Sequence, residues 1–167
     1  MSTNKLNGLT AGMIDSISDD DLPFDIFEKI CNAMPQDLDE EIAVAALNPP
    51  CQDLYLIFVF EGQVNNGGFN QYYYNTEGKF YKLLPEALRR IGAGLFADLT
   101  QQANRVYEAN YHQINKFNDG TLEGFSKSYD NNPLNEFDDK FYDLYSEEDL
   151  QQLQANYIRI NKHNFVD

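Results

Sequence analysis

Carboxylates are the side chains with the most chemistry to offer in this chain, and they come in rows. Asp19, Asp20, Asp21, Asp25 and Glu28 form one row, Asp37, Asp39, Glu40 and Glu41 a second, and Asp138, Asp139, Asp143, Glu147, Glu148 and Asp149 a third. On a helix, acids three or four positions apart have Cβ atoms about 5–6 Å apart, a spacing of the same order as successive phosphates along a strand. Such rows offer Lys and Arg a phosphate-like pattern of charge. The plainer reading is that the same acids cap helices, occupy first turns where the helix dipole favours them, or solvate a face.

Their distribution is uneven. Residues 1–53 carry eleven carboxylates against two basic residues, residues 54–118 five against six, and residues 119–167 eleven against four, within a formal net charge of −15. A net charge of about 2–8 suffices to keep a small domain soluble. Two anionic ends around a near-neutral middle repel nucleic acid and anionic membrane and attract a basic protein face, such as one built to grip phosphates.

The middle holds the most unusual local sequence, EGQVNNGGFNQYYYN over residues 61–75. An enzyme reading makes Glu61 a general base, with Asn66, Gln71 and Tyr73 orienting a substrate. A structural reading has Gly67 and Gly68 supplying the positive dihedrals of a helix stop, the amides satisfying loose backbone groups and the Tyr rings filling core. The second is favoured, because no nucleophile, metal set or histidine accompanies Glu61. His112 and His163 stand apart, and no triad order or two-histidine ligand spacing can be assembled. Cys31 and Cys51 lack CxxC or CxxH spacing and read as buried free thiols. The Asp19–Asp21 run and the Asp37-x-Asp39 pair lack the Gly and distal Glu of a calcium loop, so no metal or other cofactor is expected.

The elements that must carry the acids read as helices. At 167 residues with 43% apolar composition the chain supports one core, and twelve Phe with eleven Tyr argue against disorder. Residues 1–20 are polar and are expected to form a mobile or loosely docked arm. From Asp21-Leu22-Pro23 a helix is expected with Phe24, Phe27, Ile30, Cys31 and Met34 as its stripe, then a short one using Leu38, Ile42 and Ala46. Leu54 to Phe60 suits a buried strand or helix; a helix from about Pro50 to Gln63 is favoured because no second strand-like run exists to pair with it. Further helices follow over Phe69–Tyr74, over Lys79–Ile91 jogged at Pro85, and in one long amphipathic run from Leu95 to Phe117. Thr121–Tyr129, Leu134–Leu144 and Leu150–Ile160 complete the pattern, the last behind a capping-box-like Ser146-Glu147-Glu148-Asp149. The expected fold is all-α, a single-domain multi-helix bundle over residues 21–167. The first residues lack a basic, then apolar, leader and no run reaches the roughly 18 apolar residues of a membrane span, so a soluble cytoplasmic protein is expected.

Glu61, Asn65, Asn66, Gly67, Gly68, Phe69, Gln71, Tyr72, Tyr74 and Asn75, followed by Ala87, Leu88, Ile91, Gly92 and Ala93, carry a resemblance. This signature resembles that of a bacterial family of acidic DNA-mimic proteins of about this size. The resemblance implies an all-helical dimer whose DNA-like negative surface occupies the DNA-binding site of a helix-turn-helix transcription factor and relieves repression. The signature lies in the near-neutral middle and so speaks to the fold, whereas mimicry depends on the acids at both ends. On this reading the partner is a DNA-binding protein, not nucleic acid or membrane, and the protein is not an enzyme. An immunity- or antitoxin-type inhibitor of a basic nuclease shares the acidic surface and stays open, as does a small-molecule enzyme centred on Glu61.

Overall fold

The run Leu54–Phe60 settles the architecture. Leu54, Tyr55, Leu56 and Ile57 are buried on consecutive positions, so this helix is apolar around its circumference and must be surrounded. In the computed structural model, which describes Leu6 and residues 8–166, it is α4, Pro49–Asn75. The other helices are α1 (Ala11–Ser16), α2 (Leu22–Ala33), α3 (Glu40–Ala45), α5 (Leu84–Ile91), α6 (Gly94–Ala109), α7 (Tyr111–Ile114), α8 (Leu122–Lys127), α9 (Glu136–Leu144) and α10 (Leu150–Ile160). The described residues contain no strand, so the all-α expectation holds. α2, α5 and α9 pack directly on α4, α6 packs on α5 and α9, and α10 packs on α2 and α5.

Local chemistry sets the ends of α4. Asn48 accepts a hydrogen bond from the Cys51 N–H at 3.1 Å, and Pro49 and Pro50 occupy the first turn, where their missing N–H groups cost nothing. At Gly67–Gly68 the helix breaks its dihedrals without ending, with Gly68 at φ 72°, ψ −175°, a region essentially restricted to glycine. Beyond the kink the aromatic residues of the signature turn inward. Phe60 meets Phe69, Tyr72 and Phe141 edge-on at ring-centroid distances of 5.6, 5.2 and 5.5 Å, and Phe96 meets Phe141 at 5.4 Å. This cluster joins α4, α6 and α9.

Charged groups also lock the bundle. Asp53 on α4 is fully buried and receives two hydrogen bonds from the Arg90 guanidinium on α5, at 2.8 and 2.5 Å, and one from the Tyr157 hydroxyl on α10 at 2.7 Å. Only the Asp53 end is buried, the Arg90 side chain being 39% exposed, so this pair fixes α5 and α10 against α4 through a buried carboxylate that needs its donors.

Several expected details differ. The described part of the N-terminal arm is docked rather than loose: Leu6, Leu9 and Ile14 are buried, the Leu6 N–H donates to the Phe165 carbonyl at 2.9 Å, and Thr10 caps α1. On α2 the inward stripe is Leu22, Ile26 and Ile30, while Phe24 is 51% exposed. On α3, Leu38 and Ile42 face solvent and Ala43 and Val44 are buried, the reverse of the expected stripe. The long helix expected from Leu95 to Phe117 is broken at Asn110, whose side chain donates to the Val106 carbonyl and competes with the backbone ladder. α10 is capped by Asp149, which accepts from the Gln152 N–H at 3.0 Å, and not by Ser146.

Candidate acidic interface

The acids divide by what they touch. Asp138 on α9 accepts the Phe69 N–H at 2.8 Å and so caps the half of α4 that restarts after the glycine kink. Its carboxylate occupies the space that a Cβ on Gly68 would enter. Burial pushes the Asp138 carboxyl up, the Phe69 hydrogen bond opposes that and neighbouring Asp139 adds to it. Glu148 accepts from Leu95 N–H and Phe96 N–H at 3.0 and 3.3 Å, capping α6. Asp149 caps α10, and Asp39 caps α3 by accepting the Glu41 N–H at 2.9 Å. Glu40 accepts the Tyr55 hydroxyl at 2.6 Å, and Asp21 accepts the Ser18 hydroxyl at 2.7 Å.

Asp19 is held by Gln152 and by the Arg159 guanidinium, which lower its carboxyl below the usual carboxylate range. Arg159 also donates to the carbonyls of Ile14 and Ile17, so this cluster fastens the segment after α1 to α10.

The remaining predicted acids make no ion pair or side-chain hydrogen bond among the described residues. They are Asp20, Asp25 and Glu28 around α2, Asp37 and Glu41 around α3, and Asp139, Asp143 and Glu147 on α9 and just beyond it. Asp25 is half-buried and the others are exposed. Asp139 and Asp143 stand one turn apart on one face of α9, and Asp21, Asp25 and Glu28 repeat that spacing on α2, about 5.4 Å of rise per turn.

Gln152 joins the two rows. Its N–H bonds Asp149, which follows Glu147 in sequence, and its side-chain amide bonds Asp19 at 2.9 Å; the adjacent Gln151 bonds the Asp20 carbonyl at 2.6 Å. The acidic segments from the two ends of the chain therefore meet at the first turn of α10. Along the chain, Asp139, Asp143, Glu147 and Asp149 lead to this junction and Asp20, Asp25 and Glu28 lead away from it into α2, a path of carboxylates joined through Gln151 and Gln152. The α3 acids Asp37 and Glu41 have no bond to this junction among the described residues, and Asp39 between them is approached by Lys79 at 3.8 Å.

Beside the path, an open cavity of about 290 Å³ lies between α2, α4 and α10, lined by Asp20, Phe24, Phe58, Glu61, Gln151 and Gln154 among others. Glu61 is tied here, accepting the Tyr145 hydroxyl at 2.6 Å and the Gln154 amide at 2.8 Å. The residues of the enzyme reading do not converge on it. Tyr73 is buried with its hydroxyl on Asn104, and Asn66 donates to Gln71. Phe24 and Phe58 went unnoticed as surface features in the sequence because an aromatic at helical spacing reads as core; the burial of Ile26 in place of Phe24 is what exposes the ring. Among the described residues no group of three His, Cys, Asp or Glu side chains is placed to hold a metal ion, and no helix is long and apolar enough to cross a membrane.

Residues 45–161, which run from the end of α3 through α10, match the family model described as DMP19-like protein. The chain belongs to the DMP19-like family. Among curated proteins and among solved structures, nothing matches. The family match takes in the kinked α4, the α9 row and the Gln152 junction, whereas the α2 and α3 acids lie before it. Family membership thus bears on the scaffold and the α9 row, and the α2 row is carried by the geometry of this chain.

Proposed function

We propose that the protein is a non-catalytic DNA mimic that occupies the DNA-binding site of a helix-turn-helix transcription factor and thereby relieves repression. The observation that supports this reading is that Gln152 bonds both Asp149 and Asp19, which brings acidic segments from opposite ends of the sequence side by side. Membership of the DMP19-like family supports it from the side of the scaffold. A homodimer in the cytoplasm is part of the reading.

Physically, exposed carboxylates one helical turn apart stand where a basic face expects phosphates. Attraction over such a surface speeds encounter and sets orientation, and it weakens steeply with salt because exposed pairs are screened beyond about 10 Å at 0.1 M. The capping acids contribute by holding the rows in place: Asp138 fixes α9 against α4, Asp149 caps α10, and Asp19 ties the segment before α2 to α10.

Affinity capture at low salt, with an equally acidic unrelated protein as control, tests the reading. Specific recovery of a DNA-binding regulator that duplex DNA displaces from the protein is the expected result. Recovery of a nuclease, or of nothing beyond the control, would overturn it.

A further inference from the structure

Gln154, which lines the cavity beside the acidic path, carries a buried acceptor that has no donor among the described residues. Gln154 is 2% exposed and lines the cavity, and its Nε2 donates to the Glu61 carboxylate. A carboxylate at neutral pH only accepts, so this bond fixes which way the amide points. The Gln154 Oε1 is left buried with no donor among the described residues. A buried acceptor without a partner is costly and rare, and it marks a place where a donor from elsewhere gains more than it would at a satisfied surface.

The rest of the lining specifies the donor. Glu61 uses one hydrogen bond on each oxygen, leaving lone pairs free, and Asp20 stands at the edge with no cation paired to it among the described residues. Among the described residues no Lys or Arg lines the cavity. Phe24 and Phe58 supply aromatic walls with ring centroids 6.1 Å apart, and Phe58 is held rigid by stacking on Phe27 at 4.1 Å. Carboxylates, an orphaned carbonyl and ring faces together suit a planar, weakly hydrated cation with several N–H donors. That describes a guanidinium better than an ammonium. The volume, about 290 Å³, lies at the lower end of small-molecule sites and suits one side chain.

We propose that this cavity receives an arginine side chain from the basic face of the protein partner, so that the charged path steers and the cavity anchors. The inference rests on the DNA-mimic reading and deepens it by giving the interface a central point at which Arg is preferred over Lys. Phe24 and Gln154 are its binding residues, stacking on the guanidinium and accepting from it.

The full chain, labelled with ¹⁵N, would be titrated with N-acetyl-arginine methylamide and, separately, with N-acetyl-lysine methylamide while the Gln154 side-chain amide and the Phe24 and Asn65 backbone signals are followed. Saturable shifts at these residues with the arginine probe, weaker with the lysine probe, are expected. Phe24→Ala removes a half-exposed ring and keeps the fold, and should weaken the arginine response roughly two- to fivefold. Equal responses to both probes, shifts spread over Asp139 and Asp143 instead of the cavity, or a Phe24→Ala response equal to wild type would overturn the proposal. The two readings fail separately. If Phe24→Ala keeps full affinity for the captured regulator while Asn substitutions along the acidic path abolish it, charge mimicry stands and the arginine site falls.

Discussion

Asp138 offers a sharp test of how the acids divide between scaffold and surface, because it belongs to the same sequence cluster as Asp139 and Asp143 yet does different work. In Asp138→Ala the Phe69 N–H loses its acceptor at the restart of α4. Loss of a cap costs about 0.5–2 kcal/mol and stranding a partly buried donor about 1–3 kcal/mol. These overlap, and relief of the buried charge offsets part of them, so a net loss of about 2 kcal/mol is expected. For a chain of this length each kcal/mol moves Tm by about 2–4 °C, which gives a fall of roughly 4–8 °C by thermal unfolding. Asp138→Asn keeps the Oδ1 acceptor and removes the charge, and should stay within about 2 °C of wild type at neutral pH.

The pH dependence follows from the raised carboxyl. A folded Asp with an elevated pKa takes up its proton before the unfolded chain does, so its ionisation burdens the folded state at neutral pH, and that burden lifts as pH falls through the folded pKa toward about 3.9. The stability of Asp138→Asn relative to wild type should therefore be greatest at neutral pH and shrink on acidification. A Tm for Asp138→Ala within about 1 °C of wild type, or an equal fall in Asp138→Asn, would refute the capping role.

Other consequences follow from the same contacts. Gly68→Ala forces a side chain into a glycine-only conformation and against the Asp138 carboxylate, and should cost at least about 3 kcal/mol by denaturant unfolding, more than Asp138→Ala. Asp19 has the opposite sign to Asp138: its lowered carboxyl contributes stability above about pH 3.9 that is lost as pH falls through the folded pKa, so Asp19→Asn should flatten the acid limb of the stability curve. Burial pushes the Cys51 thiol up to about 12, and Cys31 is raised but only half-buried, so a thiol reagent near pH 8 should modify Cys31 slowly and Cys51 only on unfolding; simultaneous reaction of both would contradict the packing around α4.

What was legible in the sequence was mostly local. The apolar density of Leu54–Phe60 marked a buried element, favoured as a helix because no second strand-like run exists to pair with it, with its start near Pro50 and a break at the paired glycines. What was not legible depended on partners distant in the chain. The Asp138–Phe69 bond spans 69 positions and the Asp19–Gln152 bond 133, so no local pattern distinguishes Asp138 from Asp139 or reveals that the acidic ends meet. Periodicity located α2 and most of its inward stripe, with Ile30 buried and Phe27, Cys31 and Met34 packed against the core, but it placed Phe24 inside where Ile26 is buried instead. The sparse apolar residues of the N-terminal segment left a mobile and a loosely docked arm both open, since Leu6 is secured by Phe165 near the other end of the chain.

The central claim is that the path of carboxylates from α9 to α2 competes with DNA. Its most direct test is to follow, by fluorescence anisotropy, duplex DNA bound to the captured regulator while this protein is added at increasing salt. Wild type is expected to release the DNA with a potency that falls steeply as salt rises, and a variant with Asp20, Asp25, Glu28, Asp139 and Asp143 changed to Asn should fold normally and release little. Equal release by that variant, or no release by wild type at low salt, would contradict the account.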